Sequence, residues 1–379
     1  MVPAFAILVF VGAAVGGVAL FVGLVAWLVL KQSASRYLAW SKVANRLGLQ
    51  HDGRTTISGR LRGHRVRAGL ITRGSGNSRS TYTVVRATLR PPLDLGLDIR
   101  EHGFFNDMFH AAADVAIGDA AFDATFIVSG DEPARLQALL DPGLRRLLLT
   151  QLANVSASFS IRDDGVTIER AGAVNDSVWL AWALELAARI TSDLDAARRR
   201  TPCSGWLRPQ RDAWLAFATA NGLTGLDTPL CMWGTMEGHV VRAYAVRTDR
   251  GRYELELSVG FGTPLGLGLM LQPKGLLDKV AVFFGTRDHS LSDPWFDDTY
   301  LLRVDRTDLV DRVLDGPTRA EIMAVHQGLG PVSLNDDELT VRLPHVPAHP
   351  AVVPQTMHRL IGLVERLGAR GSQHVGPYR

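Results

Sequence analysis

Cysteine is nearly missing from this chain: Cys203 and Cys231 are the only two in 379 residues. A single pair cannot build a disulfide framework, and neither stands in a histidine cluster with zinc-ligand spacing. His-Glu-x-x-His, paired Cys-x-x-Cys, Gly-x-Ser-x-Gly and a phosphate loop are also absent. The glycine-rich stretches do not replace them. Residues 72–80 lack Gly-Lys-Ser/Thr, and residues 260–269 lack the spacing of a dinucleotide loop. No metal and no cofactor is expected. The net charge is only +3, with no dense basic run or aromatic platform, so nucleic acid is not an expected partner. The most basic patches, 61–69 and 197–200, read as solvated faces.

Charge is absent altogether from residues 4–30. As a helix this run would span roughly 40 Å, more than the ~30 Å hydrocarbon core of a bilayer. A secretory signal peptide would want a basic start, a shorter apolar region and a small-x-small cleavage site, which "KQSAS" at 31–35 does not supply. The run therefore reads as a single-pass anchor in the cell (inner) membrane, with the lipid bilayer as its partner. Lys31, Arg36, Lys42 and Arg46 all follow it and none precedes it, which places the C-terminal region in the cytoplasm. Gly12, Gly16, Ala19 and Gly23 form a small-residue stripe that would let two such helices pair as a homodimer. The competing reading is that glycine is simply common in membrane helices.

What is present is a repeat. Trp40, Ala44, Gly48 and Leu49 recur as Trp214, Ala218, Gly222 and Leu223. Residues 57–68 match 232–243, with Gly59/Gly234, Gly63/Gly238, His64/His239 and Arg67/Arg242 aligned. "PLDLGLDI" (92–99) follows the plan of "PLGLGLML" (264–271). Asp114, Asp119, Phe122, Asp123 and Thr125 align with Asp288, Asp293, Phe296, Asp297 and Thr299, and 160–168 matches 333–341. Ordered matches at nearly constant offset define a tandem duplication.

Each copy reads as a short helix stopped by glycine, several β-rich segments with hairpin turns at Gly63 and Gly238, a Phe-Asp-x-Thr strand, a helix broken near Asp141-Pro142, two more strands and a closing helix. The stripe expected for the first closing helix is Trp179, Trp182, Leu186 and Ile190. That of the second is Met357, Leu360, Ile361, Val364 and Leu367. The expected fold class is α+β: an N-terminal transmembrane helix followed by two tandem copies of an antiparallel-sheet domain with flanking helices, with a strand count that fits a pleckstrin-homology-like half-barrel. The expected boundaries are an anchor at 1–31, copies at 32–198 and 211–369, a linker at 199–210 and a disordered tail at 370–379.

Phe122, Asp123, Phe126, Leu140 and Pro142, with the hairpin segment that follows, resemble the end of a bacterial domain of unknown function found in membrane-anchored proteins. The second copy departs from that pattern by having Gly316-Pro317 at the aligned step. The resemblance implies a membrane-tethered bacterial protein and supplies no activity.

The candidate functional positions are Asp123, Asp297, His64, His239, Arg67 and Arg242. On one strand, Asp119 and Asp123 would lie roughly 13 Å apart, wider than the ~5–9.5 Å of a glycosidase pair, so the aspartates are expected to bind backbone amides. Each histidine lacks a second ligand at metal spacing. The arginines suit a phosphate or carboxylate, or else pair with the repeat's own aspartates. The leading expectation is a binding or scaffolding protein at the cytoplasmic membrane face, its partner a protein, peptide or lipid head group. The alternative is an enzyme with a single site between the copies.

Overall fold

The computed structural model describes residues 34–372, except 54, 75–78, 103–113, 153–156, 249–250 and 275–288. The chain divides into two compact units. Residues up to Thr88, with 156–158 and 167–189, form the first; 89–155, 159–166 and 190–379 form the second.

The first copy of the repeat opens on helix α1 (34–47), where Trp40, Val43 and Ala44 are buried as their spacing requires. Eight strands follow: β1 (Gln50–His51), β2 (Thr56–Leu61), β3 (His64–Arg73), β4 (Ser80–Thr88), β5 (Asp98–Glu101), β6 (Phe126–Ser129), β7 (Ser158–Arg162) and β8 (Gly165–Ala171). They form one sheet in the order β1-β2-β3-β4-β8-β7-β5-β6. Helices α2 (Ala120–Thr125), α3 (Pro133–Leu139) and α4 (Pro142–Leu152) are inserted before β7, and α5 (Ser177–Ala197) closes the copy.

The second copy repeats this plan with α6 (Arg208–Ala220), then β9 (Thr224–Asp227), β10 (Leu230–Met236), β11 (His239–Arg247), β12 (Tyr253–Gly260), β13 (Met270–Pro273), β14 (Tyr300–Arg303), β15 (Val332–Asn335) and β16 (Glu338–Leu343). Helices α7 (Pro294–Thr299), α8 (Thr307–Val313), α9 (Gly316–Leu329) and α10 (Val352–Ser372) take the equivalent places. Its sheet order, β9-β10-β11-β12-β16-β15-β13-β14, is the first order with eight added to every strand. Identical topology in two ordered copies establishes the internal repeat.

Equivalent contacts recur within the copies. The indole of Trp40 donates to the Val174 carbonyl at 2.9 Å, and that of Trp214 to the Pro347 carbonyl at 3.1 Å. A Cβ on Gly59 would come within 2.6 Å of Leu49, and one on Gly234 within 2.6 Å of Leu223, so each glycine lets the opening helix's exit lie against its sheet. At the β2–β3 and β10–β11 turns, Arg62 (φ 51°) with Gly63 (φ 83°) and Glu237 (φ 50°) with Gly238 (φ 81°) give two left-handed residues in succession, the signature of a type I′ hairpin.

Three expectations are corrected. No helix among the described residues is long and apolar enough to cross a membrane, so the fold described here does not open on a transmembrane helix. Residues 4–30, and the Gly12/Gly16/Ala19/Gly23 stripe within them, lie outside the described residues. The half-barrel analogy also fails, because each copy carries eight strands in one sheet and inserts helices between its sixth and seventh strands. Finally, Phe-Asp-x-Thr is not a strand: α2 and α7 hold it as a helical turn, and the strand starts one residue later at Phe126 or Tyr300. Asp119 and Asp293 at the N-caps decide this, each accepting the amide of the phenylalanine three residues on.

The closing helix of the first copy keeps half of its expected stripe. Leu186 and Ile190 are buried, together with Leu180, Leu184, Ala187 and Leu194, while Trp179 and Trp182 are half-buried, with ring centroids 6.4 Å apart. In the second copy Met357, Leu360, Ile361, Val364 and Leu367 are all buried.

Candidate functional site

Carboxylates repeated in both copies are occupied by backbone. Asp123 accepts the amides of Ile117 (2.9 Å), Gly118 (3.0 Å) and Asp119 (3.2 Å). Asp297 accepts those of Leu291 (3.1 Å) and Asp293 (3.3 Å) and the Ser290 hydroxyl (2.7 Å). Burial works against the Asp297 charge, yet the Ser290 hydroxyl and the two amides hold its carboxyl below the usual range. Since Asp119 and Asp123 sit on one helical turn, the 13 Å strand separation does not apply; they form a reciprocal N-terminal cap. The nearest cations are Arg145, 3.4 Å from Asp119, and Arg319, 3.0 Å from Asp293.

A second pair of aspartates ties down the leucine-glycine loops. Asp163 receives the amides of Leu95, Gly96 and Leu97 at 2.8–3.2 Å. Asp336 receives those of Leu267, Gly268 and Leu269 at 2.8–3.1 Å. Asp163 is half-buried. Burial pushes it up to about 6 against the downward pull of the three amides.

His64 begins β3 and His239 begins β11. The Nδ1 of His239 lies 3.2 Å from the Gly260 carbonyl, and its Nε2 lies 3.7 Å from Glu365. Arg67 is exposed on β3, whereas Arg242 reaches Glu338 on β16 at 3.3 Å. Asp123 and Asp297 cap their own helices, and Arg67 lies on an outward sheet face. Among the described residues, no three His, Cys, Asp or Glu side chains are grouped to hold a metal.

Two polar clusters were not legible in the motifs. In the first, Arg135 is 3 % exposed and uses every donor it has. Its Nη2 reaches Asp94 Oδ1 (2.7 Å) and Thr228 Oγ1 (3.2 Å), Nη1 reaches the Asp94 carbonyl (3.3 Å) and Glu132 (3.1 Å), and Nε reaches the Pro202 carbonyl (2.8 Å). Burial pushes the Asp94 carboxyl well above its ordinary value while Arg135 pulls it down. Asp94 sits at φ 59°, where the second copy has Gly266 at φ 66°, and Arg135 stands where the second copy has Leu309. This pair therefore belongs to the first copy alone. It seats the connecting segment, in which Thr201, Cys203, Ser204 and Leu207 are buried. Burial raises the Cys203 thiol to about 11 and the Cys231 thiol to about 12, so both are held as protonated thiols.

The second cluster lies on the outward positions of β11, β12 and β16. Tyr244 donates to Glu256, Arg342 reaches Glu256 at 2.6 Å, and Glu338 pairs with Arg90 as well as Arg242. Beside it is an open groove of about 500 Å3 whose lining includes Glu254, His326, Arg342 and His345. Two of its polar groups are engaged: His326 Nδ1 meets the Tyr300 hydroxyl at 2.7 Å, and Arg342 is held by Glu256.

No protein-family model and no curated protein matches the chain. A solved structure described as the crystal structure of the mycobacterial trehalose monomycolate transport factor A, TtfA, is similar to 43% of this chain and 94% of its own, at 8% identity and a TM-score of 0.28. At that score the likeness carries no inference about this chain.

Proposed function

We propose that the protein is a binding or scaffolding protein that works at the cytoplasmic face of the cell membrane, with the lipid bilayer as the partner of residues 4–30. The observation that supports this reading is how the duplicated polar residues are used. Asp119, Asp123, Asp163 and their second-copy equivalents are committed to backbone amides, which leaves them as fold determinants and not as acid or base groups. The copies differ instead at outward strand positions, where a partner would be recognised.

Photo-crosslinking in intact cells tests this. A benzophenone side chain at Val240, 45 % exposed on β11, and one at Ser58 on β2 should each give a discrete adduct. No adduct at either position, together with loss of the protein's cellular role on His64→Gln or His239→Gln, would contradict the binding reading and favour the enzyme.

A further inference from the structure

The whole-chain charge conceals a steep segregation. Residues 34–88 contain eleven lysines and arginines and one acidic residue, Asp52, a local net charge of eleven minus one, or +10, in a chain whose total is +3. From residue 89 onward there are 29 basic and 37 acidic residues, a net of −8.

Strand register gathers part of this charge on one face. Ile57, Val66, Ala68, Val85 and Ala87 are buried, so the alternate positions of β2, β3 and β4 point outward. There the pairing sets Arg60 opposite Arg65 and Arg67 opposite Arg86, with Ser58 and Thr88 completing the two rows. Arg60, Arg65 and Arg67 are exposed and Arg86 half-buried. Like charges directly across a sheet repel one another. The second copy does not repeat the arrangement. Its register-equivalent positions are Thr235, Val240, Arg242 and Ser258, with one arginine in place of four.

We propose that the arginine-rich outward face of β2–β4 is a docking surface for an anionic lipid bilayer, an inference that rests on the membrane-face reading above. Guanidinium forks on a sheet match the phosphates of a headgroup layer. The choice of lipid follows from the chain itself: the uncharged residues 4–30 end just before Lys31 and this basic segment, and basic clusters beside a lipid-compatible segment are drawn to anionic headgroups.

The test uses the full chain carrying Ser58→Cys, labelled with a donor fluorophore, and vesicles bearing an acceptor on their headgroups. Cys203 and Cys231 are buried and do not compete for the label. With vesicles containing phosphatidylglycerol, energy transfer should rise about twofold over phosphatidylcholine alone, and about 0.5 M salt should remove the rise. The variant Arg60→Thr, Arg65→Val, Arg86→Ser, which installs the second copy's residues, should lose the rise while still floating with vesicles and unfolding cooperatively. Equal transfer on neutral and anionic vesicles, or an unchanged rise in the variant, overturns the docking face and leaves the membrane-face reading standing. A probe response to duplex RNA but not to anionic vesicles overturns it in favour of nucleic acid. Failure of the wild type to float with either vesicle overturns both.

Discussion

Gly96 and Gly268 occupy the same point in the two copies, at φ 63° and 64°, and a Cβ on either would collide with an aspartate side chain, Asp131 or Asp305. Gly96→Ala and Gly268→Ala therefore combine a left-handed backbone with a forced displacement, and each should lower stability by about 1–3 kcal/mol in chemical denaturation. Asp163, which binds the same loop, gives a pH signature. Its carboxyl is raised from 3.8 to about 6 in the folded state, so the folded chain holds that proton more tightly than the unfolded one. The Asp163 contribution is then greatest below about pH 4 and declines as pH rises through about 6. Denaturation midpoints at pH 4, 5, 6 and 7 should show this decline in the wild type and lack it in Asp163→Asn.

Elements differ in how openly the sequence declares them. The opening helices were legible because Trp40, Val43 and Ala44 keep strict helical spacing, and the hairpins because Gly63 and Gly238 punctuate alternating strands. Phe-Asp-x-Thr reads as strand because its aromatics carry β-propensity, but the N-cap at Asp119 or Asp293 fixes a helical turn first. In the closing helix of the first copy Leu186 and Ile190 are buried as their spacing requires, whereas the bulky Trp179 and Trp182 stay half-buried and smaller alanines and leucines fill the rest of the buried side. The Asp94–Arg135 pair was invisible because its members are 41 residues apart and replace glycine and leucine in the other copy. Removing Arg135 leaves Asp94 buried without its counter-charge. Arg135→Ala should cost about 3–5 kcal/mol, read as a fall in the urea midpoint. Arg242→Ala, at a pair with more water around it, should cost about 1 kcal/mol or less.

At the scale of the molecule, duplication separates two kinds of residue. Apart from His64/His239 and Arg67/Arg242 on the strands, the polar residues the copies share close loops and cap helices. What they do not share lies on outward strand positions and along the connection between them. The arginine face escaped the sequence reading because a total of +3 averages +10 against −8 on either side of it, and because only register shows that Arg60, Arg65, Arg67 and Arg86 are neighbours. The measurement that bears most directly on this division is the unfolding free energy of three full-length variants side by side: Asp163→Ala, Asp336→Ala and the triple Arg60→Thr, Arg65→Val, Arg86→Ser. Each aspartate variant should lose about 1–3 kcal/mol through its orphaned amides, and the triple variant, which removes outward-facing side chains, should lose about 1 kcal/mol or less. A stable pair of aspartate variants beside a strongly destabilised arginine variant would contradict it.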